Sequence, residues 1–469
     1  MSQVDPIQAL AGLVSEAAWL VGGAVRDQLL GRPTVDFDVA VQEDPQSLAR
    51  RLARLVPAHP FKLSESFGGW RVVPRDDRWQ LDLLPLVGGR IEHDLAARDL
   101  TVNAIARPLG GGELIDPCAG VEDLRAGILR MVSGTAFATD PLRCLRLVRL
   151  ACELEFAIEP ATAAGARAGA RMLGGVAAER VFAELKQIVI SERASKGLAL
   201  MDELELTGAI LPELTALQGV EQSRYHHLDV HGHTRAVLER TIALTRDPEP
   251  LFAEQAPAVA VVLAEPLADE LTRGQALRFG ALLHDIAKPQ TRGVTAAGRV
   301  TFMGHDEAGA AVAVALLRRL RASERLAEYV AALVRHHLRL GFLVHEMPLS
   351  RHAIYRYLRT CEPVEVDVTL LSVADRLATR GRGAEPAIDR HVELARQLLR
   401  EALAWRRERP RPPVRGDELM RELGVGPGPR LGQVLVELEQ AAFAGELAGR
   451  EQAIERARAL LHRPGAEER

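Results

Sequence analysis

The chain has 469 residues and 47% hydrophobic content, enough for substantial cores and about three domains. Its net charge of −4 excludes a uniformly basic nucleic-acid coat, so any RNA contact must come from local patches. Four cysteines (Cys118, Cys144, Cys152, Cys361) include no CxxC pair, which argues against a disulfide framework and suits a reducing compartment.

No basic-then-apolar segment opens the sequence and no apolar run reaches membrane-spanning length, so a cytoplasmic protein with no membrane partner is expected. The most informative stretch is residues 20–41, LVGGAVRDQLLGRPTVDFDVAV. A strand is predicted over 19–21, then a side-chain-free turn at Gly22 and Gly23. A short helix over 24–30 follows, with Gly31 as its left-handed cap. A second strand over 35–41 carries Asp36 and Asp38, two apart and therefore on one face. The Gly-Gly backbone admits a triphosphate, the helix start offers free N–H groups, and Arg26 adds a cation. Two same-face carboxylates call for a hard cation such as Mg²⁺.

Further strands are predicted at 71–73 and 80–84. Asp82 lies inside the second, either as an edge-strand residue facing water or as a third carboxylate beside the first two. In ARDLTVNA, residues 97–104, Arg98, Asp99 and Asn103 are polar among small apolar residues. If this stretch is helical, Asp99 and Asn103 share a face, suited either to a nucleotide's ribose and phosphates or to capping.

From about 130 to 220 the chain reads as helix. In DPLRCLRLVRL, residues 140–150, Pro141 suits a first turn. Arg143, Arg146 and Arg149 recur every three residues, which on spacing alone reads as an exposed stripe with Asp140 as cap. A planar arginine fork and a carboxylate can also present donors and acceptors to a base edge. Arg180 and Glu184, in ERVFAEL, are expected to be structural.

Residues 221–390 bring imidazoles and carboxylates onto separate helices: His233, His284 with Asp285, His305, His336 with His337, and Asp375. That set suits a divalent-metal cage. Residues 247–266 read as a loop or insertion, and residues 405–415 as an Arg/Pro-rich linker. In the charged helical tail, LGVGPGPRLGQVL (423–435) is either a phosphate-holding turn or a plain helix–helix turn.

The joint spacing of Gly22-Gly23, the VRD string and Asp36-x-Asp38 resembles the polymerase-β-type nucleotidyltransferases, in particular the class II tRNA CCA-adding enzymes and bacterial poly(A) polymerases. ARDLTVNA is similar to that family's RRDxTxNA motif, with Ala97 in place of the first arginine. TDPLR is similar to its EDxxR motif, with Thr139 in place of the glutamate. The histidine set resembles the HD phosphohydrolases. The resemblance spans roughly 18–461.

It implies an α/β head of the polymerase-β type followed by all-α neck, HD and tail domains in an elongated multidomain chain. The boundaries expected are 1–130, 131–220, 221–390 and 391–469, with the tail a candidate for tRNA binding. The implied activity is template-independent addition of CCA, from CTP and ATP, to the 3′ end of tRNA. Asp36 and Asp38 would hold Mg²⁺, with Asp82 as third carboxylate, and Gly22, Gly23 and Arg26 would place the triphosphate. Arg98, Asp99 and Asn103 would hold the ribose side. Asp140 and Arg143, with Arg146 beside them, would form the base site.

In the HD unit, His233, His284, Asp285 and Asp375 would be the primary ligands of Mg²⁺ or a divalent transition metal. His305 with His336 or His337 would serve a second metal. Its substrates would be RNA phosphoester ends such as 2′,3′-cyclic phosphates. Full CCA-adding relatives carry a flexible loop between the third carboxylate and the RRD motif. Here only 17 positions (99 − 82) separate Asp82 from Asp99. That gap points to a partial enzyme, adding CC or A alone, as the alternative beside poly(A) polymerase. Readings of other classes are an HD phosphohydrolase with a nucleotide-binding head, or an inactive tRNA-binding protein.

Overall fold

The computed structural model describes residues 5–63, 68–76, 78–222, 228–379 and 385–462. It divides into two compact units, Met1–Ile210 and Leu211–Arg469.

The first unit begins with a six-stranded sheet: β1 (Ala18–Val21), β2 (Asp36–Val41), β3 (Ala58–Lys62), β4 (Trp70–Pro74), β5 (Gln80–Pro85) and β6 (Ala106–Pro108). Their spatial order is β3-β4-β5-β2-β1-β6, and only the β2–β5 pair is parallel. Val39, Ala40 and Val41 are buried while Asp36 is exposed, so β2 runs from solvent into the core. Its carboxylates therefore sit where the strand emerges. Between β1 and β2 lies the helix Gly23–Leu29, closed by Gly31 at φ 67°, as the glycine spacing predicts. The helix Pro45–Leu55 covers the sheet with Leu48, Ala49 and Leu52, and Asp44 caps it by accepting from Ser47 N at 2.8 Å.

The stretch 97–104 is not an α-helix. Thr101–Asn103 is a single 3₁₀ turn, and Leu100 bridges to Met131. The rest of the unit is mainly helical, with Arg143–Leu154 and Ala178–Ile190 as its longer members. A two-residue strand, Ala157–Ile158, pairs with Ile128–Leu129 and interrupts the expected all-helix run.

The second unit is helical apart from two small hairpins, Pro266–Ala268 with Leu271–Thr272 and Arg292–Val294 with Val300–Phe302. The helices Arg273–Leu283 and Glu324–His336 approach closely because residue 280 is glycine. A Cβ there would stand 2.5 Å from Leu333 Cδ1. Each of these helices ends at a histidine, His284 and His337, so their packing sets the separation of two imidazoles. A buried pair, Arg273 with Asp367, ties Arg273–Leu283 to Glu365–Ala378, and Tyr329 Oη donates to Asp367 Oδ1 at 2.8 Å.

Residues 247–266 are not a loop. Glu249–Phe252 and Ala256–Ala264 are helical, with Pro257 in a first turn where no N–H is missed and Val259, Val262 and Leu263 buried. Nor is Trp405 in a linker. It closes the long helix Glu385–Arg407 and packs against Tyr355 and Phe443 at centroid distances of 5.7 and 6.0 Å. The last three helices, Gly416–Leu423, Pro429–Phe443 and Arg450–His462, enclose their own core around Leu419, Leu438, Ala453 and Ala457. Among the described residues, no helix is long and apolar enough to cross a membrane.

Candidate active site and metal centre

At the head, one cleft of about 180 Å³ gathers residues from five separate segments. Gly23 opens it, Asp38 comes from β2, and Arg98, Asp99 and Asn103 come from the segment before β6. Asp140, Arg143 and Arg146 follow, and Arg180 comes from the helix Ala178–Ile190.

Asp99 is buried. Its Oδ1 accepts from Leu100 N at 2.8 Å and Asn103 Nδ2 at 3.0 Å, and Arg146 Nε stands 2.8 Å from its Oδ2. Burial alone would push its carboxyl up, but Arg146 and these donors hold it below the usual carboxylate range. Asn103 Oδ1 in turn accepts from Arg26 Nη1 at 2.7 Å. Arg98 is braced by Asp94 Oδ1 at 3.0 Å, and Arg143 donates to the carbonyls of Ala97 and Arg98 at 2.9 and 3.1 Å. Asp140 Oδ2 accepts from Arg180 Nη2 at 2.8 Å.

Asp38 is pushed up from the usual carboxylate range by burial, a shift opposed first by Arg98 and reinforced by Asp82. A half-buried oxygen donor crowded by a second carboxylate fits a hard divalent cation. Asp82 stands opposite Asp38 in the β2–β5 register and is forked by Arg71 at 2.7 and 2.8 Å.

In the second unit two groups of three ligand atoms each fall within 4.8 Å of one another. One is His233, His284 and Asp375; the other is Asp285, His305 and His337. His284, His305 and His337 are oriented alike. Each Nδ1 donates to the carbonyl three residues back, those of Ala281, Phe302 and Val334, at 2.9, 2.7 and 2.6 Å. In the neutral ring this hydrogen bond fixes the tautomer and leaves Nε2 as a bare lone pair. His305 Nε2 and His337 Nε2 then face each other at 3.3 Å, an arrangement that a cation relieves.

Asp285 links the two groups. Its Oδ2 lies 3.1 Å from His284 Nε2 and 3.7 Å from His233 Nε2, and its Oδ1 lies 3.3 Å from His305 Nε2. Burial presses His337 down to about 4, so its imidazole is neutral and ligand-ready at neutral pH. Burial opposes ionisation of Asp285, yet His284 and Lys288 hold its carboxyl well below the usual range. This donor set fits divalent metal. It opens into a pocket of about 360 Å³ whose lining adds Lys288, Arg376 and Arg390 to the ligand carboxylates.

Family models match the Poly A polymerase head domain at residues 18–84 and 74–130, the probable RNA and SrmB-binding site of polymerase A at 155–218, and the HD domain at 231–380. The A-adding tRNA nucleotidyltransferase of Deinococcus radiodurans is 37% identical over 438 residues, 92% of each chain. The CC-adding tRNA nucleotidyltransferase of Thermus thermophilus is 36% identical over 459 residues, 96% of this chain and 94% of the relative. The chain belongs to the class II tRNA nucleotidyltransferases. An apo CCA-adding enzyme shares the fold at TM-score 0.67 and 20% identity, over 98% of this chain and 96% of the other.

Within this tRNA nucleotidyltransferase, the structure sorts the residues singled out in the sequence. Gly23, Asp38, Arg98, Asp99, Asn103, Asp140, Arg143 and Arg146 line one cleft, while Gly22 adjoins it with φ 72°. Arg26 does not line that cleft. It is buried, and its guanidinium is taken up by Asn103 and Asp27, so it braces the turn from behind. Asp36 is exposed and likewise lies outside the cleft lining.

In the HD unit His337 enters a ligand group and His336 does not; His336 Nδ1 instead accepts from Arg339 Nε at 3.0 Å. Asp285 reaches both groups, one oxygen beside His284 and His233 of the expected primary set and the other beside His305. The sequence alone does not point to Arg71 or Asp94, and it marks Arg180 only as structural; its partner Asp140 lies forty residues upstream, and no local spacing links them.

Proposed function

We propose that the chain adds nucleotides from CTP and ATP to the 3′ end of tRNA without a nucleic-acid template. The observation that carries this reading is the single cleft joining Asp38 to the buried Asp99–Asn103–Arg146 cluster and to Asp140 with Arg143. The kinship with tRNA nucleotidyltransferases supports it. Asp36 and Asp38 would hold Mg²⁺, with Asp82 as the third carboxylate. When bound, Mg²⁺ supplies activation of the RNA 3′ hydroxyl and neutralisation of the departing pyrophosphate.

The chain's own residues do the positioning. The Gly22–Gly23 backbone allows close approach of the triphosphate, and Arg98 and Arg146 add fixed cations beside it. Asn103, oriented by Asp99 and Arg26, presents a fixed amide to the ribose. Asp140 offers acceptors and Arg143 donors to the base edge, and Arg180 fixes the rotamer of Asp140. Phosphoryl transfer needs chiefly such alignment. The segments 1–130, 131–220, 221–390 and 391–469 would serve as head, neck, HD domain and a tail that binds tRNA.

A partial enzyme is a second reading, favoured by one observation. The interval between Asp82 and Asp99 is filled by a 3₁₀ turn, Val87–Gly89, and a helix, Ile91–Ala96, with no long loop. Incubation with tRNAs ending before C74, after C75 and after A76, each labelled nucleotide supplied separately, decides the extent of synthesis. Failure to extend any of them sinks the reading. The two ligand groups of the HD unit support a metal-dependent phosphohydrolase acting on RNA phosphoester ends, with Mg²⁺ or a transition metal. Release of phosphate or opening of a 2′,3′-cyclic end, abolished in Asp285→Asn, tests that activity.

A further inference from the structure

We propose that Arg71 holds the place of a metal ion at Asp82, so that loading the head exchanges a guanidinium for a divalent cation. The proposal rests on the reading of Asp36, Asp38 and Asp82 as the carboxylates of nucleotidyl transfer. Register alone puts these groups together: Asp82 on β5 is paired with Asp38 on one side and with Arg71 on the other. Arg71 then takes both oxygens of Asp82, Nε to Oδ1 at 2.7 Å and Nη2 to Oδ2 at 2.8 Å. Such a fork fills the inward-facing lone pairs of a carboxylate, the same ones a cation needs for bidentate or tight monodentate binding.

A second observation agrees. Among the described residues, both HD groups bring three donors within 4.8 Å of one another, whereas the head carboxylates form no such group. Asp82 is held by the arginine at both oxygens while it faces Asp38 across the strand pair. The charge of Arg71 also reaches Asp36 and Asp38, so one guanidinium offsets part of the repulsion among three carboxylates. The Arg71 side chain keeps 28% of its surface exposed, against 14% for Asp82, which leaves the arginine a route into water when it is displaced.

The alternative is a permanent brace that orients Asp82 while the cation uses the outer lone pairs. The two predict opposite signs. The full chain is titrated with Mn²⁺ and the free ion followed by electron paramagnetic resonance, head-bound ions being those lost in Asp38→Asn. Arg71→Gln is expected to tighten head-bound Mn²⁺ about tenfold, the worth of one charge-assisted contact removed from competition. The Mg²⁺ concentration for half-maximal nucleotide addition should fall with it. Arg71→Lys, which keeps the charge but loses the fork, should fall in between.

In an Asp82→Asn background, Arg71→Gln should change the affinity by less than about twofold. Unchanged or weaker binding in Arg71→Gln, with circular dichroism and melting as in wild type, overturns the proposal and makes Arg71 a brace. Tightening that persists in Asp82→Asn also overturns it, because only the general field would then be at work. Failure of the nucleotidyl-transfer reading shows separately, as absence of incorporation by wild type, on which the Mn²⁺ titration does not depend.

Discussion

Replacing Gly22 with alanine is expected to harm the head in two separable ways. Gly22 sits at φ 72°, ψ −135°, where a residue with a Cβ is strained by about 1–3 kcal/mol. The new Cβ would also stand 2.7 Å from Arg98 Nη1 and 3.6 Å from Asp38 Oδ2. The guanidinium is the far end of a flexible side chain, so it gives way and its contact with Asp94 is lost. Taking that cation out of the cleft removes a charge-assisted contact worth about 1.5–3 kcal/mol. kcat/KM for the nucleotide should therefore fall about 10- to 100-fold.

Gly31→Ala is the matched control. Its φ is 67°, but nothing lies within 4 Å of the added Cβ, so it should lose about 1 kcal/mol of stability and keep wild-type kcat/KM. Urea unfolding measures the strain, and steady-state incorporation into tRNA lacking its 3′ end measures the cation. A Gly22→Ala enzyme with undiminished kcat/KM, or a loss equalled by Gly31→Ala, would refute the assignment of Arg98.

Three further outcomes follow from the geometry. Arg143→Ala frees the carbonyls of Ala97 and Arg98 and should narrow the preference between CTP and ATP about tenfold; competition between the two labelled nucleotides reads this, and unchanged discrimination counts against a base-reading role. His337→Ala should lose HD-bound metal in elemental analysis of the purified chain while His336→Ala retains it, because only His337 joins a ligand group; equal retention would contradict the grouping. Glu365 is carried up to about 7 by burial, against the pull of Arg406 and Arg273. The folded chain thus binds its proton more tightly than the unfolded one, so this group's stabilising contribution is full below the ordinary glutamate range and is lost as pH rises through about 7. Glu365→Gln should match wild type in urea midpoint near about pH 5 and exceed it near about pH 8; an advantage equal at both pH values would show that Glu365 does not carry the slope.

The sequence by itself determined whatever is governed by a few adjacent backbone angles or by helix ends. A glycine pair after an apolar run marks where strand gives way to helix. Asp36 and Asp38 share a face because strand side chains alternate. His233 and His305 fall in the first turns of their helices, and the chain order of these motifs was enough to point to the family. Tertiary structure alone decided which of those groups meet. His337 rather than His336 enters the cage because neighbouring residues on a helix point about 100° apart, and the packing at Gly280 fixes which one faces inward. Asp82 meets Arg71 through strand register, Asp140 meets Arg180 across forty residues, and Arg26 turns to Asn103 instead of the cleft. Such pairings are set by how the apolar faces of distant segments pack, and no spacing along the chain records that.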